Sequence, residues 1–149
     1  MIRLSLLYIA RPIDRLSEPS QFLVNCLHAV TKHHKNAKFG LYRPELAFNV
    51  EGLPPESYVR MVNNTALLMS DGLLAIWPHD ARSWGVPAEV ERALTLSKPV
   101  VIVTDGKPTW SMVDEKIEIV QPTGKVDPDE MVRTAFQFLR LQVDSKEVF

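Results

Sequence analysis

The sequence predicts an α/β domain with a five-stranded parallel, doubly wound sheet and helices on both faces. Short apolar runs alternate with segments of helical periodicity, which is typical of parallel strands joined by crossover helices. The 149 residues contain no internal repeat and no Gly/Ser linker, so we expect one domain, residues 1–149. The run "GLLAIW" is apolar throughout, as expected of a strand buried on both faces.

The first half of the chain supplies two strands and two helices. A strand is predicted at Leu4–Ala10, and residues 19–34 follow with apolar side chains at helical spacing. A second strand is predicted at 37–44, and a helix opens at 54–55. The apolar face predicted for that helix consists of Tyr58, Val59, Val62, Ala66 and Met69.

The second half completes the sheet in the order expected of a flavodoxin-like or Rossmann-like domain. Pro87 favours the first position of a helix, and Asp127 is suited to cap the last helix. The predicted elements are strand 72–77, helix 87–97, strands 98–105 and 116–122, and helix 128–143.

The composition excludes several classes of protein and site. A hydrophobic fraction of 46% and a net charge of -1 are ordinary for a globular protein and favour neither polymeric nucleic acid nor membrane as a partner. One cysteine, Cys26, excludes an internal disulfide and a CxxC metal site. The apolar opening segment is too short to span a membrane and lacks a cleavage site, so we expect a cytoplasmic protein.

A ligand is expected at one edge of the predicted sheet. In doubly wound sheets, ligands bind beyond the carboxyl ends of the strands, where the strand order reverses. Three loops fall at that edge, namely residues 11–19, 78–87 and 105–111.

Glu89 is the main catalytic candidate because it lies just after the second of these loops. An ionised carboxylate there could attack an electron-poor carbon and form an ester. The alternative is electrostatic, since an acidic side chain in a first helical turn offsets the helix dipole. A capping box does not account for Glu89, because Val86 is a poor cap.

Polar and aromatic residues near Glu89 suit a nucleotide. Ser83 and Gly85, with the backbone amides after them, could cradle a phosphate at a helix start, although a plain Ser/Gly turn has the same composition. Arg11 and Arg82 could add positive charge, or could be solvated surface residues.

Aromatic side chains have two possible roles at this edge. The Tyr8 hydroxyl could point into the crevice from the end of the first strand, and the alternative is a buried core tyrosine. Trp77 and Trp84 could stack on a flat base or pack in the core. The histidines show no spacing typical of a metal site, and neither GxGxxG nor GxxxxGK[ST] occurs.

Three segments, "YIARPID", "SDGLLAIW" and "SWGVPAEVERALTLSKPVVIV", together resemble the nucleoside 2-deoxyribosyltransferase superfamily, which includes nucleoside 5′-monophosphate N-glycosidases. The resemblance covers most of the chain from Leu4 to Asp105. It implies that Glu89 is the nucleophile for the anomeric carbon and that Tyr8 hydrogen-bonds Glu89. Asp71 would belong to the pocket around sugar or base, and Asp14 and Trp84 would contact substrate.

Two positions depart from the pattern of the superfamily. Arg11 replaces the Gly before Pro, which narrows the pocket or contacts a phosphate. Ser83 stands six residues before Glu89, where transferases carry Asp and monophosphate hydrolases carry Ser. A serine avoids the repulsion between a carboxylate and a phosphate. Ser111 resembles the hydrolases' serine that reaches the phosphate of a neighbouring subunit, which implies a homodimer.

The resemblance implies cleavage of the N-glycosidic bond of a nucleoside 5′-monophosphate or nucleoside through a glycosyl-Glu89 ester, without metal or organic cofactor. One alternative is base transfer between unphosphorylated deoxynucleosides. Another is a non-catalytic nucleotide-binding module, since fold alone assigns no chemistry. The cytokinin-activating phosphoribohydrolases need paired glycines that "ARSWGVPAE" lacks.

Overall fold

A five-stranded sheet lies at the centre of the structure, a computed structural model that describes residues 6–12, 20–35, 39–44, 56–81, 85–106 and 116–145. The strands are β1 (Leu6–Ala10), β2 (Gly40–Tyr42), β3 (Gly72–Trp77), β4 (Val100–Thr104) and β5 (Ile117–Val120). The helices are α1 (Gln21–His34), α2 (Glu56–Met69), α3 (Gly85–Thr95) and α4 (Pro128–Ser145).

All neighbouring strands are parallel, and their order in the sheet is β2-β1-β3-β4-β5. This arrangement confirms the predicted α/β fold class. The strand order reverses between β1 and β3, so the crevice expected to bind a ligand lies above the carboxyl ends of these two strands.

Helices cover both faces of the sheet, as predicted. Side chains alternate between faces along a strand, and β1 shows this directly: Leu7 and Ile9 pack with α1 and α4, whereas Tyr8 and Ala10 pack with α2 and α3. The face that bears α2 and α3 is therefore the one on which Tyr8 and Glu89 can meet.

Two helix starts have side-chain caps. The Ser20 hydroxyl accepts a hydrogen bond from Leu23 N at 3.2 Å at the start of α1. Asp127 Oδ1 accepts one from Glu130 N at 3.3 Å at the start of α4, which confirms the predicted cap. Such caps satisfy amide groups that have no partner inside the helix.

Helix α3 begins earlier than predicted. Its first residue is Gly85, so Pro87 is the third residue of the helix and not the first. Proline is tolerated there because the amides of the first turn have no carbonyl partner within the helix. Residues 82–84, which would hold the cap, lie outside the described residues.

The predicted apolar face of α2 is only partly correct. Leu67 is buried against the sheet, whereas Tyr58 and Met69 are exposed. Tyr58 and Met69 lie at the margins of the predicted apolar face, and residue spacing alone does not distinguish such positions from buried ones.

Cys26 is buried, as predicted for a small core residue, and burial followed by the charge of Asp105 raises the pKa of its thiol to about 12. Among the described helices, none combines the length and apolarity needed to cross a bilayer.

Candidate active site

Glu89 lies in the second turn of α3, on the helix that follows β3. No acidic residue occupies the first turn of this helix, and the helix-dipole effect fades within that turn. The dipole alternative for Glu89 therefore loses its main support. The side chain is half-buried, and its Oε2 atom is inaccessible to solvent.

Tyr8 is fully buried on the face of β1 that packs against α2 and α3, in the same cluster as Val86 and Val90 of α3. Its hydroxyl oxygen is also inaccessible to solvent. Glu89 lies between those two valines in the sequence, so β1 and α3 hold the tyrosine and the glutamate on the same side of the sheet.

Tyr42, the last residue of β2, joins this group of side chains. It is the register partner of Tyr8 in the adjacent strand, and the two ring centroids are 5.1 Å apart with planes inclined at 32°. The Tyr42 hydroxyl donates a hydrogen bond to Asn63 Oδ1 of α2 at 2.7 Å.

The electrostatics link Tyr42 to Glu89. Burial, and then the negative charge of Glu89, raise the pKa of Tyr42 above its usual value, because both disfavour a phenolate. Three elements, β1, β2 and α3, therefore supply two phenols and one carboxylate on this side of the sheet, and α2 holds the Tyr42 hydroxyl. Such a group can position an anionic nucleophile and exclude water from it.

Tyr42 and Asn63 were not among the site residues predicted from the sequence. A signal was present, because "YRP" at Tyr42–Pro44 echoes "YIARP" at Tyr8–Pro12. Both segments place a tyrosine near the end of a strand and an Arg-Pro pair after it. Asn63 had no comparable signal, since its role depends on which face of α2 meets β2.

Asp71 lies at the opposite edge of the sheet from the crevice expected to bind the ligand. It precedes β3 at the amino edge of the sheet, where its Oδ2 accepts a hydrogen bond from Leu6 N at 3.1 Å and its own N–H donates to Leu6 O at 2.8 Å. The six residues of β3 span roughly 20 Å between this position and the edge expected to bind the ligand. The structure does not bring Asp71 to the crevice, and its carboxylate instead joins β1 to the start of β3.

Of the remaining predicted site residues, the structure describes two, Arg11 and Gly85. Arg11 is half-buried after β1, and its Nε donates to the carbonyl oxygen of Pro12 at 3.3 Å. Gly85 is exposed as the first residue of α3. The residues that lie outside the described ranges are Asp14, Ser83, Trp84 and Ser111.

Trp77 packs in the core. It ends β3 and is 3% exposed, within the cluster that contains Tyr8. This burial supports the packing alternative over stacking on a free base.

A histidine–aspartate pair joins two loops at the carboxyl edge. The His79 N–H donates to Asp105 Oδ1 at 2.7 Å, and His79 Nδ1 lies 3.1 Å from Asp105 Oδ2. A Cβ on Gly106 would lie 2.7 Å from His79 Cβ, so glycine allows the loops to approach this closely. The hydrogen bond to Asp105, and then its charge, raise the pKa of His79. Sequence analysis did not find this pair, because its members are 26 residues apart.

A groove of about 390 Å³ lies between the outer sides of α2 and α3 and includes Arg60, Met61, Leu68 and Arg92. It contains none of the predicted site residues. Within the described ranges, no three His, Cys, Asp or Glu side chains are grouped closely enough to hold a metal ion.

No model of a protein family matches the sequence, and no curated protein matches it. The structure, however, is similar to several solved structures. A 2-deoxyribosyltransferase from Bacillus psychrosaccharolyticus aligns over 91% of this chain and 96% of its own, with TM-score 0.64 and 16% identity. A CMP N-glycosidase from Clostridium botulinum aligns over 89% and 99%, with TM-score 0.53 and 9% identity.

A conserved protein from Enterococcus faecalis V583 aligns over 68% of this chain and 64% of its own, with TM-score 0.56 and 19% identity. At these identities the similarity establishes a common fold. The chain therefore has the α/β fold of a 2-deoxyribosyltransferase and of a CMP N-glycosidase, as the resemblance predicted.

Proposed function

We propose that this chain cleaves the N-glycosidic bond of a nucleoside 5′-monophosphate or nucleoside, with Glu89 as the nucleophile. The observation that carries the proposal is the position of Glu89. Glu89 is half-buried on α3, and its charge raises the pKa of Tyr42, whose ring contacts Tyr8. Further support comes from the fold shared with a deoxyribosyltransferase and a CMP N-glycosidase.

The chemistry proceeds in two displacements. A carboxylate oxygen of Glu89 bonds to the anomeric carbon while the bond from that carbon to the base nitrogen breaks. The base leaves with the electron pair and takes up a proton. Water then attacks the same carbon and gives up a proton to the solvent, the ester bond breaks, and the Glu89 carboxylate is restored. A second base in place of water gives exchange.

A 5′-monophosphate is the preferred substrate in this proposal. Gly85 opens α3, and the free amides of a helix start attract phosphate. Ser83 in place of a carboxylate removes one source of repulsion from that phosphate. Arg11, half-buried after β1, provides positive charge at the same edge of the sheet.

The test incubates the protein with each nucleoside and each 5′-monophosphate, with and without an acceptor base. Release of free base without an acceptor indicates hydrolysis, and a new nucleoside or nucleotide indicates transfer. Binding without release over long incubation would instead indicate the non-catalytic module. Release from no substrate would contradict the proposal.

Glu89→Gln tests the nucleophile directly. We expect base release to fall by roughly 10⁴-fold or more, as losses of a nucleophile do, with an unchanged fold by circular dichroism. Glu91→Gln is the matched control, because Glu91 is exposed on the same helix and should leave the rate unchanged. Mass spectrometry of the quenched wild-type reaction should find the sugar on the Glu89 peptide. A Glu89→Gln variant with full activity would refute the assignment.

We also propose that the chain forms a homodimer through the outer side of α2. Monomeric proteins rarely leave large apolar patches in water, and this helix exposes four large apolar side chains, of which Met61 and Leu68 line the groove beside α3. These side chains are Tyr58, Met61, Leu68 and Met69.

A further inference from the structure

We propose that Tyr42, held by Asn63, is a positioning residue of the candidate active site that keeps Tyr8 and Glu89 in their reactive arrangement. The inference rests on the proposed function, and it assigns a role there to Tyr42 and Asn63. Three observations support it: the register of β2, the hydrogen bond from Tyr42 to α2 and the effect of the Glu89 charge on Tyr42.

The register of the sheet places the two tyrosines side by side. Tyr8 and Tyr42 are direct Cα partners in adjacent parallel strands, and such strands lie about 4.8 Å apart. Their ring centroids are separated by a similar distance, 5.1 Å. Tyr8 is fully buried and Tyr42 half-buried. The ring of Tyr42 therefore packs against the ring of Tyr8 from the side of β2 and restricts its movement in that direction.

The ring of Tyr42 is itself held by a helix. Strand β2 is at the edge of the sheet, so none of the described strands supports Tyr42 from outside. Instead, the Tyr42 hydroxyl donates to Asn63 Oδ1 of α2 at 2.7 Å. Because this bond joins the far end of the ring to a helix packed on the sheet, it restricts where the ring can lie.

The third contact is electrostatic. The negative charge of Glu89 is one of the causes that raise the pKa of Tyr42, so the carboxylate acts on the phenol through its charge. A phenol that stays neutral keeps the proton it donates to Asn63 and adds no charge beside the nucleophile. A neutral Tyr42 side chain can therefore contribute to the site without repelling the Glu89 carboxylate.

The kinetic test compares removal of the hydroxyl with removal of the ring. Small misplacements of reacting groups cost up to about 10²-fold in rate, so we expect kcat to fall about 10-fold in Tyr42→Phe and about 100-fold in Tyr42→Leu. KM should change by less than about 3-fold, as expected when ground-state binding is unaffected. Asn63→Leu should match Tyr42→Phe, and the double variant should lose no more than either alone.

The control is Tyr58→Phe, which removes the same hydroxyl from an exposed tyrosine of α2 and should leave kcat unchanged. Melting temperatures of all variants separate a loss of rate from a loss of fold. A Tyr42→Phe variant with wild-type kcat would overturn the inference, as would additive effects of Tyr42→Phe and Asn63→Leu.

A second measurement does not need catalysis. The chain has three tyrosines, so nuclear magnetic resonance of labelled tyrosine, assigned with Tyr42→Phe, can follow the Tyr42 phenol alone. Glu89→Gln removes the nearby negative charge, so the pKa of Tyr42 should fall, whereas Glu91→Gln should not move it.

An unchanged Tyr42 pKa in Glu89→Gln would overturn the inference whether or not the wild-type protein is active. If the wild-type protein releases no base, the proposed function fails, and a fall in that pKa would still support the contact between Tyr42 and Glu89. The two failures are therefore distinguishable.

Discussion

At the scale of single residues, two carboxylates that looked alike in the sequence have different surroundings. Asp71 accepts a hydrogen bond from the backbone of β1 at the amino edge of the sheet. Glu89 lies on α3, which packs on the face of the sheet that bears Tyr8, and one of its oxygens is inaccessible to solvent. Asp71 therefore joins two strands, whereas Glu89 lies on the helix where the proposed function needs a carboxylate.

Asp71→Ala should destabilise the protein without changing the rate of base release. The loss of a hydrogen bond from an amide to a charged acceptor costs about 1–2 kcal/mol, and we expect this decrease in the free energy of unfolding in urea. Asp71→Asn keeps an acceptor oxygen and should lose less. A fall in kcat at full folding would instead return Asp71 to the active site.

At the scale of elements, the His79–Asp105 pair holds the loop after β3 against the end of β4. The hydrogen bond to Asp105 raises the pKa of His79. The folded protein therefore binds this proton more tightly than the unfolded chain. The resulting stability is fully present below the unfolded pKa, near 6.5, and disappears as the pH rises through the folded value.

Asp105→Asn should lower the melting temperature more at about pH 5.5 than at about pH 8. The substitution keeps an oxygen for the His79 amide and removes the charge that favours the protonated ring. The effect should be small, because His79 is largely exposed. Asp80→Asn is the control, since Asp80 is the weakest contributor to the raised pKa and should show a smaller pH dependence. An equal loss at both pH values would contradict the proposed charge effect.

The sequence allowed the elements to be predicted better than their contacts. Apolar runs located β1, β3 and β4, because a parallel strand covered on both faces reads as a continuous apolar segment. Strands β2 and β5 lie at the edges of the sheet and are partly exposed, so their apolar runs are shorter. The start of α3 was placed late, since Gly85 and Val86 read as loop and Pro87 as a helix start. Residue types at a helix start reflect local preferences, and they do not predict how tertiary packing extends the helix.

The candidate site was predictable where local position decides it. Glu89 follows a loop at the ligand edge, and Tyr8 is near the end of β1, so both could be named. Tyr42 depends on the register between β1 and β2, and the His79–Asp105 pair depends on two loops that are distant in sequence. Neither relation follows from residue spacing along one chain.

At the scale of the whole molecule, the two faces of the sheet have different roles. Helices α1 and α4 pack together over one face, whereas α2 and α3 cover the other face and contribute Asn63 and Glu89 to the site. The outer side of α2 exposes apolar side chains.

The homodimer proposal predicts that sedimentation velocity finds a dimer for the wild-type protein and a monomer for the double variant Met61→Lys, Leu68→Lys. These residues are 58% and 56% exposed in the single chain. In a two-fold contact each substitution introduces its charge twice, and the groove already contains Arg60 and Arg92, so lysines add repulsion. Val126→Lys, at an exposed apolar residue before α4, should remain dimeric. A monomeric wild-type protein would refute the dimer, and a dimeric lysine variant would place the interface elsewhere.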